Sequence, residues 1–132
     1  MKTIFLIISL GLSFVTLNAQ EKVQLALNFE NITEKGNLMV AVFDSEEGWE
    51  KHQPIEATQH LTEKKSETVY FKIPKGIYGV AAFIDTNGNH FYDFGKEIYT
   101  FSNQYIPREN PTLEKFAIKV NQDEEITLKM TK

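Results

Sequence analysis

Cysteine is missing from all 132 residues, which rules out disulfides, thiol catalysis, thiolate metal sites and lipid attachment through a cysteine. A domain of this chain must rest on its apolar core, with a bound ion as the one remaining staple. A basic excess is missing too: 14 lysines and arginines stand against 18 acidic residues. That balance argues against a nucleic-acid or anionic-membrane partner, since both call for a concentrated basic face.

Catalytic signatures are equally scarce. Ser45, Ser66 and Ser102 lie outside any Gly-x-Ser-x-Gly elbow. His52, His60 and His90 are the only histidines after the first methionine, and the gap from His52 to His60 crosses Pro54, so no helical metal pair forms. They read as ordinary exposed side chains. Glu46, Glu47 and Glu50 read as a solvated acidic turn rather than as the paired acid and base of a glycosidase. A carboxylate-dependent hydrolase is therefore the least supported of the functions considered, and no catalytic residue is assigned.

One long apolar run exists, and it stands at the N-terminus. Lys2 precedes Ile4 to Leu12 with Phe14 and Val15, and Leu17-Asn18-Ala19 ends on a small residue. This is the layout of a secretory signal peptide over 1–19, cleaved after Ala19. As a membrane anchor the run falls short of the ~20 residues a spanning helix needs, and Ser9, Gly11, Ser13 and Thr16 interrupt it. The leader takes one basic and no acidic residue, leaving 13 basic against 18 acidic side chains over 20–132, a balance of −5. That remainder is sized for one domain with one core, expected in the periplasm or outside the cell.

What remains is rich in strand patterning. Val23, Leu25, Leu27 and Phe29 alternate with polar residues, as do Val69, Phe71 and Ile73, then Phe116, Ile118 and Val120, and then Ile126, Leu128 and Met130. Asn121-Gln122-Asp123 supplies a turn between the last two groups. Leu38 to Phe43 and Ile77 to Asp85 are nearly continuous apolar runs, suited to strands buried on both faces or nearly so. Tyr99 to Tyr105 suits a short edge strand. Asp44 to Leu61 breaks the pattern, and Asp44 or Ser45 can cap one short helix near 45–53 that ends at Pro54. Together these predict an all-β fold, an antiparallel sandwich of about seven strands of immunoglobulin-like type.

One segment carries chemistry. Asp85, Asn87, Asn89 and Asp93 recur through a loop that ends at Glu97, and with the Phe91 carbonyl they offer several hard oxygen donors to one cation. Calcium suits such donors, whereas zinc prefers nitrogen and sulfur. The loop is no EF-hand: counting from Asp85, the sixth position is His90 instead of glycine and the twelfth is Lys96 instead of glutamate. The alternative is plain turn chemistry, since Asn87-Gly88 between apolar segments is a leading hairpin signal. Trp49, Tyr78, Phe91, Tyr92, Phe94, Tyr99, Phe101 and Tyr105 are core or strand-pair residues by composition, or else an aromatic surface near this loop for stacking on a sugar or gripping a partner. Phe91, Tyr92 and Phe94 cannot all face inward on one strand.

Gly36 to Phe43 with Trp49, Val69 to Asn89, and Phe101-Ser102-Asn103 together resemble a bacterial secreted family, domain of unknown function 2141. The resemblance covers most of the chain after the leader, most specifically from Gly76 to Asn89 and then Asp93. It implies a prealbumin-like or carboxypeptidase-regulatory-like β-sandwich with no established activity. The family commonly carries a glycine where His90 stands and an aromatic where Leu113 stands. The loop also resembles the Asp/Asn-rich calcium loops of bacterial surface-protein sandwiches. The expected function is a non-catalytic binding or accessory module of the cell envelope whose partner is an envelope protein or glycan, with a structural, calcium-rigidified domain as the alternative.

Overall fold

The computed structural model describes residues 21–132, so the leader expected at 1–19 lies outside the described residues. Eight strands form two sheets. β1 (Lys22–Glu30) lies between β4 (Glu67–Pro74) and β8 (Glu124–Lys129) in a three-stranded sheet. The five-stranded sheet runs β3 (Glu56–Thr62), β2 (Gly36–Phe43), β5 (Gly76–Asp85), β6 (Tyr99–Phe101), and β7 (Ala117–Val120) pairs with another stretch of β5. Two short helices, α1 (Glu46–Glu50) and α2 (Leu113–Phe116), and a 3₁₀ turn (Ser102–Gln104) complete it. Among the described residues, no helix is long and apolar enough to cross a membrane.

The core follows from the period-two pattern. Leu25, Leu27 and Phe29 of β1, Val69, Phe71 and Ile73 of β4, and Leu128 of β8 point one way. They meet Leu38, Val40 and Val42 of β2 and Val80, Ala82 and Ile84 of β5 in one buried cluster. Alternation places every second side chain on this inner face, which makes the molecule an all-β sandwich.

Three details depart from the expectations. The pairing is not wholly antiparallel: β8 runs parallel to β1, with Leu27 opposite Ile126. The turn at 121–123 explains this, because it carries the chain from β7 in one sheet to β8 in the other instead of closing a hairpin. β3 forms within the stretch read as breaking the β pattern, and as a strand paired only to β2 it needs no apolar alternation. His60 on that strand is not an ordinary exposed histidine; it is half-buried and its Nε2 has no hydrogen-bond partner.

α1 begins as expected, with Ser45 Oγ accepting from the Gly48 N–H at 3.0 Å. It stops at Lys51, and His52 follows at φ 57. α2 was not signalled by any repeat. It sits directly over Gly79, where an added Cβ would come within 2.6 Å of the Phe116 ring and would also strike Leu113. Glycine is thus required at position 79 by close approach.

Candidate functional site

The two sheets differ on their outer faces. On the three-stranded sheet that face is polar: the Thr68 hydroxyl donates to Asn28 Oδ1 at 2.8 Å, and Asn28 Nδ2 donates to Glu125 Oε2 at 2.7 Å. On the five-stranded sheet it is apolar, which is why β2 and β5 read as continuous hydrophobic runs. One end of this face is roofed. Phe43, Leu113 and Phe116 form a second buried cluster, with Trp49, Phe101 and Tyr105 packed against it. Trp49 Nε1 donates to the Pro111 carbonyl at 2.9 Å, and Glu46 Oε1 accepts from the Leu113 N–H at 2.7 Å, so α1, α2 and the Pro107–Pro111 stretch hold one another in place.

The other end is open and forms a groove of about 1070 Å³. Its floor is written in the strand register. Ala57 pairs with Ala41, Ala41 with Ala81, and Ala81 with Phe101, so three alanines lie side by side across three strands. In the next row, Gln59, Met39, Phe83 and Tyr99 lie side by side. The alanines make a trough and the neighbouring row raises its bank. Tyr92 packs edge-on against Phe83 at 5.8 Å and Tyr99 at 5.5 Å. Burial, chiefly, pushes its phenol above the ordinary tyrosine range, helped by Tyr99 and Glu97 and opposed by a hydrogen bond with the Gly95 backbone. Phe91 and Phe94 stand at the mouth, 72% and 85% exposed.

The Asp85 loop forms this mouth. It does not close as a two-residue hairpin at Asn87-Gly88; the Ile84 N–H donates to the Ile98 carbonyl at 3.1 Å and shuts its base. Gly88 sits at φ 77, where glycine is unstrained. Asp85, 2% exposed, accepts from the Gly88 and His90 N–H groups at 3.0 and 2.9 Å. Asn87 Oδ1 accepts from the Asn89 N–H at 3.1 Å, and Asn89 Oδ1 from the Phe91 N–H at 2.9 Å. Both amide groups turn their Nδ2 to the Asp93 carboxylate, at 2.7 Å from Asn87 and 3.1 Å from Asn89. Glu97, 1% exposed, spans the base: Oε2 accepts from the Thr86 N–H and hydroxyl at 2.8 and 3.0 Å, and Oε1 from the Asp93 N–H at 2.9 Å.

The five side chains named for a cation thus share one hydrogen-bonded loop. Among the described residues, no three His, Asp or Glu side chains stand together to hold a metal. A cation here would draw on the Asn87 and Asn89 oxygens and the Phe91 carbonyl beside the carboxylates.

Of the eight aromatics considered from sequence, six line the groove and two do not: Tyr78 is buried in the main core and Tyr105 packs with the second cluster. The alanine floor escaped the sequence reading. Its one signal was the absence of polar alternation in β2 and β5, which required an apolar outer face as well as an apolar inner one. Glu46 and Glu47 are spoken for, by the Leu113 N–H and by Lys51 at 2.8 Å. Glu109 is the one carboxylate lining the groove.

No curated protein and no solved structure matches this chain. A family model does, over residues 28–128. The chain belongs to the family described as "Uncharacterized protein conserved in bacteria (DUF2141)".

Proposed function

We propose that this chain is a non-catalytic ligand-binding module, exported to the periplasm or beyond, and that its binding surface is the outer face of the five-stranded sheet. The observation that carries the reading is the apolar trough over Ala57, Ala41 and Ala81, bounded by aromatic rings and left open beside the roofed end of that face. A contiguous exposed apolar patch of this kind marks an interaction site. Of the partners considered from sequence, a glycan can lay its C–H faces on the aromatic rings but finds no hydrogen-bond partner for its hydroxyls along the alanine floor. An apolar partner suits the face better.

Nile red, a neutral apolar dye, is the probe. Its fluorescence is expected to saturate at one dye per chain. Ala57→Trp should weaken binding by about tenfold or more by filling the trough, and because Ala57 is exposed the new ring overpacks nothing. No saturable binding, or binding indifferent to this substitution, contradicts the reading.

The second reading is a calcium-rigidified structural domain, favoured by the convergence of Asn87 and Asn89 on the Asp93 carboxylate. It requires both amides to rotate and present oxygen in place of nitrogen. Extracellular modules bind calcium at about 10⁻⁴ to 10⁻³ M. Calcium at about ten times such a dissociation constant would stabilise the fold by about 1.4 kcal/mol. Melting purified protein in chelator and in millimolar calcium tests this. An unchanged midpoint leaves the loop closed by its own hydrogen bonds.

A further inference from the structure

Resting on the groove reading, we infer that the occupant is a free long-chain carboxylate, its apolar tail along the alanine trough and its acid head against Arg108. Arg108 is the only arginine in a chain of formal charge −4. It lines the groove, is exposed, and makes no salt bridge among the described residues, whose ion pairs all use lysines elsewhere. A guanidinium presents paired donors that match the two oxygens of a carboxylate, a geometry lysine cannot offer. On an acidic protein, that fork is found at the rim of the apolar trough, with Glu109 beside it as the one carboxylate lining the groove.

Two of the three histidines, His52 and His90, line the same groove and are exposed, so their ring N–H groups are further donors there. Their left-handed backbones, φ 57 and 67, are accounted for locally: the His52 and Gln53 N–H groups close the end of α1 on the Trp49 and Gly48 carbonyls, and the His90 N–H donates to Asp85 Oδ2.

The tail follows from shape and exposure. The trough crosses three strands, about 10 Å at the usual strand spacing, and its alanine methyls and ring edges offer an alkyl chain contact and no hydrogen bonds. Phe91 and Phe94 at its mouth are largely in water and would be covered by a tail lying beneath them. Each square ångström so covered contributes about 25 cal/mol. A short acid such as acetate would reach Arg108 but leave the trough empty.

Dodecanoate, below its micelle concentration, and dodecanol share a tail and differ in the head, so both are set to compete with bound Nile red. Dodecanoate is expected to displace the dye at about one third the concentration of dodecanol, the worth of one solvent-exposed carboxylate–guanidinium pair. In Arg108→Gln that preference should fall to near parity; the residue is exposed and on a loop, and an unchanged melting midpoint verifies that the fold persists. Equal competition by acid and alcohol in the wild type, or a preference that survives in Arg108→Gln, overturns the inference while leaving the groove reading intact. If Nile red finds no site, the groove reading fails first and takes the inference with it.

Discussion

Replacing Glu97 with alanine is expected to lower the stability of the domain by about 3 kcal/mol, measured by chemical denaturation in the presence of a calcium chelator. The side chain is 1% exposed and accepts three hydrogen bonds, from the Thr86 N–H, the Thr86 hydroxyl and the Asp93 N–H. Alanine offers none of these groups a partner, and each hydrogen bond lost at this part-buried loop base costs about 1 kcal/mol. Glu97→Gln should recover part of the loss, because its carbonyl oxygen still satisfies one side, while its amide nitrogen faces a donor on the other. The effect is predicted without any ion, since the hydrogen bonds close the loop by themselves. A loss of stability that appears only when calcium is present would assign Glu97 to metal binding instead.

Phe116→Ala should cost more, about 4 kcal/mol. The ring is fully buried and stands 5.2 Å from Trp49 and 4.8 Å from Phe101 in edge-on contacts, with Tyr105 stacked at 6.3 Å. Removing it opens a cavity between the sheet and its roof. It also frees Trp49 and Phe101, which line the groove, so dye binding should weaken under conditions where the variant is still folded. Phe94→Ala is the control for stability: at 85% exposure its ring supports no core, and the change should stay within about 0.5 kcal/mol. A stable Phe116→Ala variant with an intact site would mean that the roof does not shape the groove.

The strands that face a core on one side were legible in the sequence, because burial of alternate residues leaves a period of two in β1, β4 and β8. β3 left no such trace. Its inward side chains, Thr58, His60 and Thr62, are polar, since a strand at the rim of the sheet meets the edge of the core rather than its centre. α2 spans only four residues, too few to establish a helical repeat. The parallel register of β1 and β8 depends on where the chain changes sheet, and local pattern carries no record of that. At the site, oxygen-bearing side chains announced the Asp85 loop, whereas the trough is made of alanines that look like ordinary core until the registers place them side by side.

Binding on the outer face of the five-stranded sheet is tested most directly by amide nitrogen–proton spectra recorded during a Nile red titration. Shifts should concentrate at Met39, Ala41, Ala57, Ala81 and Phe83, with Gln24, Asn28 and Thr68 on the opposite sheet unmoved. Shifts confined to that polar face, or none at saturating dye, would contradict it.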